Sequence, residues 1–274
     1  MIYVTKLDGT TQIFDPAKLK HSLSMAGADK DTIGRIMSRV DKILFDGIET
    51  KKLFRFVFDE FKKIQPLAAP RYDLKNAILR LGEQGFSFEK FVAKIFQKHG
   101  YETELNQIVK GKYIRHEIDI SARKNKEMVM VECKHHNRPW AGCSIQTALY
   151  VYARFLDIKG LFTSAMLVTN TKFSSQVADY AKGVGLKLMG WRFPEGNSLE
   201  YNIERFKLYP ITMLTSLDKT KVNSLLQLGI FLVSDLSAKD VTEISKMLKI
   251  SKSKAGIISE EAQALSMERD LVGE

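Results

Sequence analysis

The sequence predicts an α/β protein of three parts, which cover residues 1–83, 84–194 and 205–274. The first part opens on a β-hairpin and continues as helical stretches, and the second alternates helix, three strands, helix and strand. After the turn at 194–197 the pattern changes to short helical segments with leucine-rich faces. This change predicts a small helical module at the C-terminal end.

Composition favours a globular protein with an acidic partner. The chain has 274 residues, 45% of them hydrophobic, and a formal net charge of +10, which suits association with a polyanion. Its two cysteines do not make a disulfide framework. No apolar run approaches the length of a membrane span, and the N-terminus lacks the order of a signal peptide. We therefore expect a cytoplasmic protein with no membrane partner.

The N-terminal part begins with strands over 3–6 and 11–14, joined by the turn-forming residues 7–10. Asp15 is a suitable N-cap for a helix that has Pro16 at its first position. Three further helices are predicted, over residues 30–45, 50–64 and 68–82.

This part contains four motifs: Val4-Thr5-Lys6-x-Asp8-Gly9, Phe14-Asp15-x-x-Lys18-Leu19, Gly47-Ile48-Glu49-Thr50 and Arg71-Tyr72-x-Leu74. With these motifs the part resembles an ATP-cone, the small regulatory nucleotide-binding domain of ribonucleotide reductases and some transcriptional regulators. The resemblance implies that ATP or dATP binds here, with Lys6 and Lys18 on its phosphates. It also implies that Val4, Leu19 and Thr50 hold the base and the sugar.

Two positions depart from the ATP-cone pattern. Leu7 stands where the family usually has a basic residue, and Phe54 stands where its third helix often carries a polar contact. Each departure removes a polar group that could meet a nucleotide. A cone fold that binds no nucleotide, with its lysines merely solvated, therefore stays open as the alternative.

The middle part carries the residues on which the functional prediction depends. Its predicted elements are a helix over 86–98, strands over 101–109, 114–122 and 127–134, a helix starting after Ser144, a strand over 165–169, a helix over 174–182 and a strand over 186–191. Asp119 lies between two isoleucines, on the polar side of an apolar strand. On the next strand Glu132 and Lys134 are two residues apart and share a face. Cys133 points the other way, as a small buried hydrophobe.

An aspartate followed by Glu-x-Lys on the next strand suits cleavage of a phosphodiester bond. Two carboxylates offer hard oxygen ligands to Mg²⁺ or Mn²⁺, and a lysine beside them can orient the attacking water and stabilise the charge on the phosphate. At these residues the chain resembles restriction-endonuclease-like nucleases of the PD-(D/E)xK type, most closely the Mrr branch. The resemblance implies a mixed central sheet, Asp119 and Glu132 as metal ligands, and Lys134 as a catalytic residue.

Three further residues match positions of the nuclease pattern. In Mrr-type nucleases a helical glutamate before the first strand can complete the metal site, and Glu89 matches it; a side chain that bends out to water is the alternative. Gln146 and Tyr150 are four apart on the next helix and match a motif that contacts the site or the DNA in several nuclease branches. The alternative is a core tyrosine with an incidental glutamine.

Other chemistries find less support in the sequence. Cys133, His135, His136 and Cys143 are crowded but lack the paired Cys-x-x-Cys spacing of zinc sites. The two histidines follow Lys134 and either meet phosphate or stay solvated. A serine or cysteine hydrolase finds no nucleophile-elbow motif here.

The C-terminal module resembles helix-hairpin-helix modules, which bind DNA backbones through glycine-containing hairpins and helix N-termini. Its helices surround Gly229-Ile230, whereas the segment at 215–217 lacks the usual hairpin glycine. A packing or dimerisation role stays open, and so does formation of a homo-oligomer.

These observations together predict a metal-dependent DNA endonuclease that ATP or dATP on the cone could regulate. Its expected partners are DNA and a purine nucleotide. The alternative is a nucleotide-sensing DNA-binding regulator whose nuclease fold is inactive. The intact set of Asp119, Glu132 and Lys134 favours the enzyme.

Overall fold

A computed structural model describes residues 1–83, 88–138 and 140–267. Contacts divide the chain into a terminal unit, Met1–Ala77 with Pro210–Glu274, and a central unit, Ile78–Tyr209. The predicted start of the middle part at residue 84 and the first two residues of the predicted helix 86–98 lie outside the described residues. No helix in the described ranges is both long enough and apolar enough to cross a membrane.

The terminal unit opens on a small sheet made of β1 (Tyr3–Thr5), β2 (Thr11–Ile13) and β3 (Ile48–Glu49). β1 pairs antiparallel with β2, which confirms the predicted hairpin, and parallel with β3. Gly9 in the hairpin turn has a φ of 83°, a conformation that glycine adopts without strain. The motif at 47–50 contributes β3, because Ile48 pairs with Val4 from a distant part of the chain.

The helices within residues 1–83 are α1 (Pro16–Met25), α2 (Lys30–Ile43), α3 (Thr50–Ile64), α4 (Ala69–Tyr72) and α5 (Leu74–Glu83). The Asp15 carboxylate accepts the N–H of Ala17, which confirms the predicted cap. The single helix predicted over 68–82 is divided, because the Asp73 backbone (φ −96°, ψ 9°) leaves the helical region. Its carboxylate accepts a hydrogen bond from Asn76, a local bond that competes with helix continuation.

Apolar residues of β1, β3 and helices α1 to α4 pack into one core. Its most deeply buried members are Leu23, Ile36, Val40, Val57 and Phe61. Helix α3 therefore contributes its apolar face to the core, and Phe54 on its flank stacks on Tyr72 with ring centroids 5.0 Å apart.

The C-terminal segment adds a 3-10 turn (Ile211–Met213) and helices α10 (Lys219–Gln227), α11 (Val233–Ser237), α12 (Val241–Leu248) and α13 (Lys252–Ser266). Two of the connections resemble each other. Leu228-Gly229-Ile230 follows α10 with Gly229 at a φ of 78°, and Leu248-Lys249-Ile250 begins at the last residue of α12 with Lys249 at a φ of 52°. Each turn reverses the chain through one residue in the left-handed region.

The central unit is a mixed α/β fold. Along the chain its elements are α6 (Phe88–Lys98), β4 (Glu102–Lys110), β5 (Arg115–Lys124), β6 (Glu127–Lys134), β7 (Gly142–Cys143), α7 (Ile145–Ile158), β8 (Ser164–Thr169), β9 (Lys172–Phe173), α8 (Ser175–Val184), β10 (Lys187–Met189) and α9 (Leu199–Phe206). The main sheet has the order β10-β8-β6-β5-β4, with β4, β5 and β6 antiparallel and β6, β8 and β10 parallel. This mixed sheet agrees with the predicted core. The small pair β7 and β9 was not predicted, because two residues carry no periodic signal.

Helix α7 covers one face of the sheet. Its residues Ala148, Val151 and Phe155 share a core cluster with Met130 and Leu167 from the central strands. Ser144 lies at the N-cap position of α7, as predicted, but its side chain forms no capping hydrogen bond. Burial of apolar surface along α7 therefore positions this helix, and with it the polar side chains that it carries toward the sheet.

Candidate active site

Asp119 lies at an irregularity in the main sheet. The β4–β5 register passes from the pair Leu105–Ile120 to the pair Gln107–Ile118, and Asn106 between them on β4 has a φ of 52°. The Asp119 carboxylate accepts the backbone N–H of Cys133 on β6, with 2.7 Å between Oδ2 and N. A side chain thus takes the N–H that a regular ladder would pair with a carbonyl, and Asp119 is bound directly to the strand of Glu132.

Glu132 and Lys134 differ sharply in environment although they share β6. Glu132 is buried, whereas Lys134 at the end of the strand is exposed. The Thr169 hydroxyl donates to the Lys134 carbonyl oxygen at 2.8 Å and so fixes the backbone at this strand end. The arrangement combines a buried carboxylate with a solvent-exposed ammonium.

Arg154 on α7 is a site residue that the sequence analysis missed. Its guanidinium donates to Glu132 with 2.5 Å between Nη1 and Oε2, and it also donates to the Glu117 carbonyl oxygen. Both side chains of this ion pair are buried, at 9% and 11% exposure. The available signal was helical spacing, because Arg154 follows Gln146 and Tyr150 at intervals of four residues.

Burial dominates the electrostatics of the two carboxylates. It raises the pKa of Asp119, while the N–H of Cys133 opposes the rise and the charge of Glu89 adds to it. Burial also raises the pKa of Glu132, with a further rise from Asp119 and a counteracting effect of Arg154. Both groups are therefore held where their negative charge is disfavoured, and a cation beside them would relieve that cost.

The donor set fits a hard divalent cation. Asp119 uses one carboxylate oxygen for Cys133 and Glu132 uses one for Arg154, which leaves the second oxygen of each for a metal. Magnesium needs only one or two protein carboxylates, because water and phosphate oxygens complete its shell. Within the described residues, no cluster of three or more His, Cys, Asp or Glu side chains could hold a metal. Two carboxylates with substrate phosphate remain sufficient.

Glu89 lies in the first turn of α6 and is half-buried. Its charge raises the pKa of Asp119 and of the buried Cys133 thiol, although burial is the larger cause for both. An electrostatic effect on both groups brings Glu89 into the neighbourhood of the site. Cys133 itself is free and buried, as predicted.

Gln146 lines a cavity of about 350 Å³. In the part of the chain that the structure describes, it forms no hydrogen bond with Asp119 or Glu132. The cavity is bordered by the first residues of α7 and α8, and its polar members are Ser144, Gln146, Lys172, Ser174 and Gln176. Tyr150 is 62% exposed, so its interpretation as a core residue is wrong. Its ring lies beside the Arg154 guanidinium, 5.3 Å from centroid to Cζ.

The two histidines after Lys134 pack into the protein. His135 lies against the Phe88 ring, with centroids 5.4 Å apart. The His136 backbone N–H donates to the Asn170 amide oxygen, the Asn170 amide nitrogen donates to the His136 carbonyl oxygen, and the His136 Nε2 lies 3.5 Å from the Cys143 sulfur. Burial lowers the pKa of His136, which disfavours its role as a cation on phosphate.

The residues predicted for nucleotide binding are divided between core and surface. Val4 and Leu19 are buried in the core of the terminal unit. Lys6 and Lys18 are exposed, and Lys18 lies 3.7 Å from the Asp15 carboxylate. Thr50 is the first residue of α3.

Two family profiles match the chain. Residues 81–191 match a restriction endonuclease profile (Mrr_cat), and residues 209–266 match the C-terminal profile of AF1548-like proteins. An uncharacterized protein of Archaeoglobus fulgidus is 38% identical over 170 residues, which make up 62% of this chain and 97% of the relative. The chain belongs to the AF1548-like family.

A solved AF1548-like structure supports the same assignment. It is described as the crystal structure of protein of unknown function AF1548, is 38% identical, has a TM-score of 0.54, and covers 64% of this chain and 94% of that chain. Residues 81–191 of this AF1548-like chain are thus a restriction-endonuclease-like domain, which is a nuclease-type fold. Since neither relative has a described activity, function must be argued from the site.

Proposed function

We propose that the protein is a metal-dependent DNA endonuclease with its active site at Asp119, Glu132 and Lys134. One observation carries the proposal: half-buried Asp119 and buried Glu132, on adjacent strands and both with raised pKa, lie beside the exposed Lys134 in a restriction-endonuclease-like domain. Structural ion pairs can also shift a pKa. Here, however, Glu132 also belongs to the Glu-x-Lys spacing of the PD-(D/E)xK pattern, which suits phosphodiester hydrolysis.

Each residue has a role that follows from its surroundings. Asp119 and Glu132 would hold Mg²⁺ or Mn²⁺, and the bound ion would supply charge neutralisation of the phosphate and an acidified water. The Cys133 N–H orients Asp119, and Arg154 orients Glu132 while limiting the repulsion between the carboxylates. Lys134 is exposed, and its ammonium can orient the attacking water or donate to a phosphate oxygen. Glu89 would support the metal, and Gln146 would contact the DNA.

The C-terminal helices would provide a further grip on the DNA backbone. Of the two similar turns at 228–230 and 248–250, the second leads into α13, whose N-terminal N–H groups can meet phosphates. The second turn carries Lys249, a cation that complements a polyanion. This proposal extends the helix-hairpin-helix resemblance of the module.

We also propose that residues 1–83 act as an ATP-cone that binds ATP or dATP and regulates cleavage. This proposal rests on the sequence motifs. Lys6 and Lys18 are exposed cations that could meet phosphates, and Thr50 at the start of α3 could meet the sugar. Val4 and Leu19 would contact the base only at the edge of the core in which they are buried.

Nicking of supercoiled plasmid by the purified full chain tests the nuclease. We expect nicking with Mg²⁺ and none with chelator, and we expect Asp119→Asn to abolish it without unfolding the protein. Glu104→Gln, which removes an exposed carboxylate from β4, is the matched control and should nick at the wild-type rate. DNA binding without any metal-dependent nicking would instead support the regulator with an inactive nuclease fold.

A further inference from the structure

The turn between β4 and β5 presents an unusual surface. Residues 110–115, called the basic tip below, read Lys110-Gly111-Lys112-Tyr113-Ile114-Arg115 and contain three cations and no acidic residue. Lys110 and Arg115 lie directly opposite each other in the antiparallel register. Like charges in such a pair repel, so the pairing costs stability unless an anion lies between or above them.

The basic tip also exposes two large apolar side chains. Tyr113 is 77% exposed and Ile114 is 63% exposed. The Lys112 ammonium lies 4.8 Å from the centroid of the Tyr113 ring. An aromatic ring flanked by cations offers a stacking surface together with positive charge, which is the combination that proteins use to bind single-stranded nucleic acid.

The tip is held in one conformation by Asp157 of α7. The Asp157 carboxylate accepts the N–H groups of Tyr113 at 2.9 Å and Ile114 at 3.3 Å and bonds to His116 at 2.8 Å. The backbone carbonyl oxygen of Asp157 accepts the N–H of Lys112 at 3.0 Å. A Cβ at Gly111 would overlap the same carboxylate, so the loop is closely fitted to α7. A surface fixed in advance loses little conformational entropy on binding.

The same two elements connect the tip to the proposed active site. Asp157 lies one turn of α7 beyond Arg154, which holds Glu132. On β5, Asp119 follows Arg115 by four residues, or about 13 Å of extended strand. That length corresponds to roughly four nucleotide steps of a nucleic acid strand at about 3.4 Å each.

We propose that the basic tip binds DNA about four nucleotides from the bond that is cut, by stacking Tyr113 on an unpaired base while Lys110, Lys112 and Arg115 bind the flanking phosphates. The proposal rests on the proposed nuclease function and names its substrate class. Bases inside an intact duplex already stack on each other, so the ring gains a partner only where the strand is single or distorted. The substrate class is therefore DNA with unpaired bases.

The test compares two DNA probes by fluorescence anisotropy, with the full chain and chelator present so that no cleavage occurs. One probe is a 30-base-pair duplex, and the other is the same duplex with a four-nucleotide gap in one strand. Tyr113→Ala should weaken binding to the gapped probe about 5- to 150-fold, the range for loss of one stacked base, and change duplex binding little. Tyr113→Phe keeps the ring and should bind like the wild type. Tyr201→Ala, which removes another exposed tyrosine of the central unit, is the control and should change neither probe.

The outcomes separate this inference from the proposed function. Wild-type affinity of Tyr113→Ala for the gapped probe, or an equal loss on both probes, would overturn stacking by the tip even if the protein nicks plasmid. A selective loss on the gapped probe in a protein that never nicks DNA would support the tip and overturn the nuclease.

Discussion

The buried ion pair between Arg154 and Glu132 allows a sharp test of how the site is stabilised. Arg154→Ala leaves the Glu132 carboxylate buried without its cation, next to the charge of Asp119. Removing one partner of a buried pair costs about 3–5 kcal/mol, because the remaining charge is desolvated and uncompensated. With a urea m-value of about 2 kcal/mol/M, the unfolding midpoint should fall by roughly 1.5–2.5 M.

The chain contains a matched control with similar geometry and different burial. Arg123 donates to Glu102 at 2.6 Å, close to the 2.5 Å of the buried pair, but its side chain is 63% exposed and that of Glu102 is 76% exposed. Solvent screens such a pair, so Arg123→Ala should leave the midpoint almost unchanged. Burial is then the variable that separates the two substitutions.

Tryptophan fluorescence is the suitable signal, because both tryptophans, Trp140 and Trp191, lie in the same unit as Arg154. Urea titrations at pH 7.5 would compare Arg154→Ala, Arg123→Ala and the double variant Arg154→Ala with Glu132→Gln. The double variant should recover much of the lost stability, since the uncompensated charge is gone. Equal midpoints for Arg154→Ala and Arg123→Ala, or no recovery in the double variant, would refute the reasoning.

Three further predictions concern metal, pH and nucleotide. Because burial raises the pKa of Asp119 and Glu132, their ionisation opposes folding as pH rises above about 4. Mg²⁺ should therefore raise the thermal unfolding midpoint of the wild type at pH 7.5, and that of Asp119→Asn much less. Equal shifts of the midpoint for the two proteins would argue against a metal site at Asp119. The hydrogen bond from Lys187 is the main cause that lowers the pKa of Glu127. The stability that this bond contributes is therefore present at neutral pH and is lost as pH falls below about 4. The difference in the urea unfolding free energy between wild type and Glu127→Gln should shrink from pH 7 to pH 3. Titration calorimetry with ATP and dATP should show binding, and Lys18→Ala should weaken it. Absence of heat at millimolar nucleotide would contradict nucleotide binding by residues 1–83.

Local sequence patterns were sufficient for much of the fold. The Asp15 cap with Pro16, the hairpin through Gly9 and the three long strands of the central unit all depend on interactions within a few residues or on strict alternation of side chains. The same alternation placed Glu132 and Lys134 on one face of β6. Patterns of this kind follow from backbone geometry, and they can be recognised without knowledge of the tertiary structure.

Tertiary structure alone decided which charges meet. Arg154 reaches Glu132 because α7 packs its apolar face on the sheet, and no spacing in the sequence pairs a helix residue with a strand residue 22 positions away. In the same way Asp157 fixes the turn after β4, and Asp119 bonds to Cys133 at an irregularity that alternation would not predict. Sequence determined the candidate ligands of the site, because their residue types and spacing are local. Their burial, their shifted pKa values and their supporting cations depend on the packing of distant segments, and only the folded chain brings these together.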